Sequence, residues 1–250
     1  MSDGATEVFL SPPGRVARSQ IWGQTVFFTI TNPNDAIQKS HLQGQFYEGE
    51  ELEIIAKYVE PGSVFCDIGA NIGNHSLFAL KYLRISKTIV FEPNPAAIAV
   101  LLSNLTLNGV LDRCDTSRLG FGLSDTESSG FKMFVPKRNN LGGGRMVEAE
   151  GDGTLDVFRG DDALAGQTVD FIKIDVEGME MKVLAGLSQT IAQQRPRIFV
   201  EVDRANTEDF LSWVEHNGYG VKARFKRYRA NENFMLIPKR RQRPADEVSE

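Results

Sequence analysis

Residues 64–74 read VFCDIGANIGN. A short apolar run ends in an acid, turns through two glycines four residues apart, and continues into a helical pattern. A strand that feeds a helix through so tight a turn must bury both faces beside strands of its own direction, which commits the chain to an α/β architecture. The remaining sequence keeps that rhythm. Strands are expected at 63–67, 88–92, 116–122, 169–175, 198–202, 220–225 and 234–237. Helices are expected at 50–59, 95–108, 179–193 and 207–217, where Pro95 suits a first turn and Gly109 and Gly218 suit helix ends. With 250 residues, 41% of them hydrophobic, the chain can bury one sizeable core.

Three segments break the alternation. Residues 1–45 read as an N-terminal extension, loosely ordered over the first twenty, then short strands and loop. Residues 131–162, with a triple glycine at 142–144, read as an insertion or lid within a main domain spanning 46–238. Residues 239–250 read as a mobile polar tail.

The net charge of -5 disfavours a nucleic-acid partner. Two cysteines, Cys66 and Cys114, form neither a disulfide framework nor a zinc motif, and Cys66 reads as a small buried hydrophobe. The first residues lack a basic and then apolar leader, and no apolar stretch is long enough to span a bilayer, so a cytoplasmic location is expected.

In an open parallel sheet, ligands bind beyond the carboxyl ends of the strands at the switch point. Gly69 and Gly73 would let backbone approach such a ligand without a Cβ in the way. Asp67 stands at the tip of the strand, and a carboxylate there would repel a pyrophosphate. It would attract a cation, and S-adenosylmethionine offers an ammonium and a sulfonium. Glu92 ends the next strand, where an acid can accept hydrogen bonds from two ribose hydroxyls. The structural alternatives are a turn cap for Asp67 and a solvated strand end for Glu92.

A later block, VDFIKIDVEGMEMKVLAG, runs from a buried strand into a helix, and Asp175 and Glu177 flank the turn. That strand is expected beside the Asp67 strand, and RIFVEVD brings Glu201 and Asp203 to the same edge. Carboxylates at one rim suit removal of a proton from an acceptor hydroxyl. A divalent metal on Asp175 and Glu201 is the alternative, and none is expected. Helix capping competes with chemistry at Asp175 and Glu177. His75 opens the helix after the glycine loop, where a helix N-terminus favours the neutral imidazole that a base needs, against plain packing on the loop. His41 and His216 have weaker cases, His216 reading as part of a solvated helix face. An Asn-Pro-Pro-aromatic motif, a mark of amine methylation, is missing at the Asp175 position. The basic stretch VKARFKRYR at 221–229 reads as a solvated ribbon, with an anionic acceptor or RNA as the competing use.

Together, FYEGEELEIIAKYVEPGSVFCDIGANIGNHSLF, IVFEPNPAAIAVLLSNLTLNG, GLSD and VDFIKIDVEGMEMKVLAG resemble the FkbM family of S-adenosylmethionine-dependent methyltransferases over about residues 42–203. The resemblance implies a class I methyltransferase fold, a Rossmann-like seven-stranded sheet, mostly parallel, whose last strand is antiparallel. It places the cofactor over Asp67, Gly69, Ala70, Asn71, Gly73 and Asn74, the ribose on Glu92 beside Pro93, and the adenine near Ser124 and Asp125. It also implies an O-methyltransferase acting on a small-molecule or glycan hydroxyl, with His75, Asp175 and Glu177 as candidates for the base. An RNA- or protein-directed methyltransferase, a non-catalytic cofactor-binding module and a nicotinamide dehydrogenase are the rivals, and the loop spacing with Asp67 argues against the last.

Overall fold

The structure, a computed structural model, describes residues 14–135 and 143–239. The expected tail from 240 onward, Gly142 of the triple glycine and residues 1–13 lie outside it. The chain enters through an antiparallel hairpin, β1 (Arg15–Ile21) and β2 (Gln24–Ile30). Its two-residue turn, Trp22 and Gly23, has positive φ at both positions, the twist that suits so short a connection. Full pairing with β2 orders residues 15–20, which sequence alone suggested were loose. Next come α1 (Ala36–Leu42), capped by the Asp35 carboxylate, and α2 (Gly49–Tyr58).

The alternating core then begins with β3 (Val64–Ile68), α3 (Asn74–Tyr82), β4 (Lys87–Phe91), α4 (Pro95–Leu107) and β5 (Cys114–Asp115). The segment between β5 and the next core strand holds β6 (Gly122–Ser124), β7 (Ser128–Phe134), β8 (Arg145–Glu148), β9 (Leu155–Arg159) and α5 (Gly160–Ala163). Its strands make a separate small sheet in the order β6-β9-β7-β8. The core resumes with β10 (Phe171–Ile174), α6 (Glu180–Gly186), α7 (Ser188–Gln194), β11 (Arg197–Asp203), α8 (Thr207–His216), β12 (Tyr219–Phe225) and β13 (Asn231–Pro238).

The main sheet has seven strands in the order β12-β13-β11-β10-β3-β4-β5. It is mixed: β5, β4, β3, β10 and β11 are parallel, and β13 runs against both of its neighbours. The chain goes outward from β3 to β5, then crosses to β10 on the other side of β3. That reversal creates the crevice in which an α/β sheet binds ligands.

Two expected elements differ. In place of one strand over 116–122, the chain makes the two-residue β5, a turn, and then β6 in the other sheet. Asp115 causes the break, because its carboxylate accepts from the Ser117 amide and hydroxyl and from Arg118, an alternative to a strand ladder. The single helix over 179–193 is two helices meeting at Leu187. Gly186 sits so close to the Ser124 carbonyl that a Cβ would lie 2.0 Å from its oxygen, so only glycine fits where the small sheet docks against the end of α6.

Alternation along the strands fills both faces. Phe65, Phe171 and Phe199 pack with Leu52, Leu77 and Leu101 on one side. Cys66, Ile172 and Ile198 pack with Val183, Ile191 and Phe210 on the other. Two residues after each phenylalanine, on the same face, stand Asp67, Lys173 and Glu201.

Candidate active site

The glycine loop hangs on β4. The amides of Gly69 and Ala70 both donate to the Phe91 carbonyl, at 2.9 and 3.0 Å, and Gly73 N–H donates to Ala70 O at 2.8 Å. Gly69, Asn71 and Gly73 have positive φ. The expected reason for the two glycines needs correction. A Cβ on Gly69 would lie 1.8 Å from the Asp175 carbonyl oxygen, and one on Gly73 would lie 3.1 Å from Leu101 Cγ. They let the loop pass β10 and α4 in a left-handed conformation rather than clearing room for a ligand.

Asp67 also departs from expectation. Its carboxylate is fully buried and does not guard the turn. One oxygen lies 3.2 Å from Lys173 Nζ, directly across the β3–β10 register, and the other accepts from the Ser76 hydroxyl at 2.6 Å. Lys173 in turn donates to Gly69 O at 2.8 Å and lies 3.5 Å from Asp175 Oδ2. Burial opposes its charge, but Asp67, Asp175 and Glu48 outweigh burial and hold the ammonium above the usual lysine value. The cation that Asp67 meets therefore belongs to the protein.

Glu92 lies where expected. Its two carboxylate oxygens accept from the Asn71 amide at 2.7 Å and the Asn94 amide at 2.8 Å. Burial raises its pKa to about 7 against the pull of those amides. A carboxylate has about four acceptor directions, so two amides leave room for a pair of hydroxyls.

Two cavities meet at this crevice. The first, of 60 Å³, runs from Glu92 and Pro93 past Leu123 to Met133 and Met146 of the small sheet. The second, of 420 Å³, is walled by Tyr47, Glu48, His75, Lys173, Glu201 and Tyr228. Gly69, Asn71, Asp175 and Glu177 line both. The side chains along the first cavity suit the expected cofactor, although 60 Å³ admits it only once the methionine roof swings aside. Glu92 offers acceptors for a ribose, and Asn71 Oδ1 is buried without a hydrogen-bond partner among the described residues. The apolar end is roofed by methionines, whose unbranched side chains can yield to a flat ring.

The second cavity concentrates charge. Among the described residues, the carboxylates of Glu48, Asp175, Glu177 and Glu201 face the one ammonium of Lys173 there. Burial and the like charges of Asp175, Asp203 and Glu180 push Glu177 up to about 7. Burial and neighbouring carboxylates likewise raise Glu48 and Glu201, and Glu201 accepts from Asn231 Nδ2 at 2.6 Å. His75 is buried, its Nε2 3.7 Å from Glu48 Oε2, and burial with the nearby Lys173 pushes it down to about 3. The imidazole is neutral as expected, with burial rather than the helix end as the leading cause. Glu177 adopts φ +50°, a left-handed backbone that costs a non-glycine residue about 1–3 kcal/mol and collects at functional sites. Met179, the N-cap of α6, makes no side-chain cap, and among the described residues no hydrogen bond from an α6 amide to Asp175 or Glu177 supports the capping alternative.

Other expected residues lie elsewhere. Ser124 is buried with its hydroxyl on Asp125, Asp125 is exposed, and neither lines the two cavities, whose wall at this end is Gly122 and Leu123. Asn74 reaches the second cavity, but its side chain is taken by the Tyr47 backbone and His41 Nε2. His41 stacks on Phe28 in the core, and His216 is exposed. Asp203 remains at the edge of β11 outside both cavities. The basic stretch is the solvated ribbon expected, the exposed edge strand β12 and its turn into β13, with specific contacts made by a few of its side chains. Arg224 pairs with Glu232, Arg227 grips Glu51, and the Tyr228 hydroxyl meets the Tyr47 hydroxyl over the second cavity.

Lys173, Glu48 and the two tyrosines were missed by sequence reading. Lys173 had a legible signal: Phe65-Cys66-Asp67, Phe171-Ile172-Lys173 and Phe199-Val200-Glu201 repeat one spacing in three neighbouring strands. A lysine inside a buried parallel strand needs an acid on the same face.

The model of the methyltransferase FkbM domain matches residues 67–221. The chain is 27% identical over 176 residues to the hexuronic acid methyltransferase AglP of Haloferax volcanii, covering 69% of each chain. It is 30% identical over 174 residues to the 31-O-demethyl-FK506 methyltransferase FkbM of Streptomyces tacrolimicus, covering 58% of this chain and 66% of that one. Among solved structures, Sp1610 of Streptococcus pneumoniae in complex with S-adenosyl-L-methionine superposes with a TM-score of 0.50 at 13% identity, covering 79% of this chain and 76% of that one. That likeness concerns the Rossmann-like fold. Among the described residues, no helix is long and apolar enough to cross a membrane.

Proposed function

The chain belongs to the FkbM family of methyltransferases, and on that premise we propose that it moves a methyl group from S-adenosyl-L-methionine to a hydroxyl oxygen of a sugar, glycan or natural-product acceptor. The observation that carries this reading is the wall of Gly69, Asn71, Asp175 and Glu177 common to both cavities. Two ligands bound on either side of it would meet there.

Glu92, Pro93, Gly69 and Asn71 would hold the cofactor, with Leu123, Met133 and Met146 for its apolar ring. When bound, it supplies an electrophilic methyl carbon on a sulfonium. The protein's share is alignment and proton transfer. Well-oriented reactants can gain about 7–11 kcal/mol over free collision. An alkyl hydroxyl is a poor nucleophile, so a base must take its proton as the new bond forms. Glu177 suits that role, with a pKa of about 7 and a place on the shared wall. Asp175 stands beside it, tied to Lys173 at 3.5 Å. His75, neutral at working pH, would accept a hydrogen bond from the acceptor rather than carry charge. The two named relatives act on a hexuronic acid and on 31-O-demethyl-FK506, which supports oxygen as the acceptor atom.

Incubation with a methyl-labelled donor and a panel of sugars, glycans and hydroxylated natural products tests the proposal. Label is expected in glycosidase-sensitive or small-molecule products as a methyl ether. Label confined to RNase- or protease-sensitive material would overturn the acceptor class.

A further inference from the structure

We propose that Lys173 is a positioning residue for methyl transfer: its ammonium ties the carboxylate of Asp175 to the carbonyl of Gly69 and so fixes the wall at which donor and acceptor meet. The reaction in that statement rests on the proposed function, whereas the tie itself stands on geometry.

Stability gives little reason for a lysine in this place. Lys173 is 3% exposed, in a strand with parallel neighbours on both sides. A buried ion pair seldom makes a protein more stable than apolar residues of the same volume would. Apolar residues do fill this face two residues earlier, where Phe65 and Phe171 stack with ring centroids 5.1 Å apart. The register nonetheless sets Lys173 opposite Asp67, whose other oxygen is held by the Ser76 hydroxyl. Asp67 is the counterion that makes the ammonium tolerable in the core.

An ammonium has three donors and no acceptor, and Lys173 spreads its contacts over three segments. Nζ donates to Gly69 O at 2.8 Å in the glycine loop, lies 3.2 Å from Asp67 Oδ1 on β3, and lies 3.5 Å from Asp175 Oδ2 in the turn that leaves β10. Gly69 and Asp175 both line the two cavities. Their main chains already meet: Asp175 N–H donates to Ile68 O at 3.0 Å, and a Cβ on Gly69 would lie 1.8 Å from Asp175 O. Those contacts leave the Asp175 side chain to Lys173, which among the described residues is the one cation paired with it. Without that partner the carboxylate, open to the cavities, would be free to turn among its rotamers. A misplacement of about 1 Å in groups that align reactants can cost about a hundredfold in rate.

The double variant Asp67→Asn with Lys173→Met tests the proposal, because it removes both charges and leaves neither buried alone. Urea unfolding and calorimetric titration with S-adenosylhomocysteine, expected to match wild type in affinity, show that it is folded. Crystal structures of both proteins with S-adenosylhomocysteine should show the Asp175 carboxylate turned away or spread over several orientations in the variant, on an unchanged main sheet. With the best acceptor from the labelled panel, kcat should fall about a hundredfold while the acceptor KM holds. A role in stability alone predicts the opposite, turnover that returns with the fold. Asp175→Ala leaves the core pair intact and should lose kcat to the same extent. Wild-type kcat in either variant, or an Asp175 carboxylate unmoved in the double variant, would overturn the proposal and leave the methyltransferase reading standing. Wild-type protein that binds S-adenosylhomocysteine and labels no acceptor would count against the proposed function, and the crystal comparison would still decide whether Lys173 holds Asp175.

Discussion

Around Glu92 the protein holds the carboxylate and the loop with backbone, two amides on Glu92 and two more on the Phe91 carbonyl, and leaves one side-chain oxygen, Asn71 Oδ1, open. Around Glu201 it does the opposite, gathering four carboxylates beside one ammonium and leaving the His75 Nε2 open. The polar end of the first region is made of one strand-loop-helix unit and the end of the next strand, with the small sheet over its apolar end. The second is assembled from the segment before α2, the ends of β10 and β11, and the connection between β12 and β13. The difference teaches that a pocket for a fixed ligand can be held by main chain, which tolerates change in side chains. A pocket whose occupant varies is made of side chains from distant segments, and its unmet polar atoms wait for that occupant.

Lys173 underlies both regions, and removing it should break the comparison most severely. Lys173→Met leaves Asp67 buried without its cation and should destabilise the protein by about 3–5 kcal/mol in urea unfolding. Adding Asp67→Asn should recover much of that loss, because the uncompensated charge goes with it. A Lys173→Met variant as stable as wild type would show that the pair does not organise the crevice.

The next effect sharpens the boundary between the regions. Glu92→Ala should weaken S-adenosylhomocysteine about tenfold to a hundredfold in calorimetric titration, the value of losing charge-assisted hydrogen bonds. Equal losses from Glu92→Ala and Glu201→Gln would mean that the two cavities are not separate in function.

The smallest effect concerns the roof of the second cavity. Tyr228→Phe removes the hydroxyl contact with Tyr47, worth about 1 kcal/mol. The acceptor KM should rise about fivefold in steady-state kinetics while cofactor affinity holds. A change in cofactor affinity instead would place this contact in the wrong region.

The same division explains what sequence could reveal. The alternation of strands and helices, the helix after Gly73 and the neighbouring of β3 and β10 follow from local period and the crossover rules, so they were readable. Glu92 was readable because its position depends on one strand end. Asp67 was placed at the right strand tip, but its charge was assigned to a ligand because the register that sets Lys173 opposite it is not local. Tyr47, Glu48 and Tyr228 reach the second cavity by long-range packing, with Arg227 on Glu51 fixing the approach, and nothing in their immediate neighbours announces it. Ser124 and Asp125 stand just past the Gly122–Leu123 wall of the first cavity because Asp115 and Arg118 end β5 early and send β6 into a different sheet.

The central claim is that the Glu92 cleft takes the methyl donor and the acid-lined cavity takes the acceptor, with Asp175 and Glu177 between them. A crystal structure with S-adenosylhomocysteine tests it most directly. The account predicts ribose hydroxyls on the Glu92 carboxylate and the sulfur at the Asp175–Glu177 wall. A ligand seated against His75 and Glu201, with the Glu92 cleft still filled by Met133 and Met146, would contradict it.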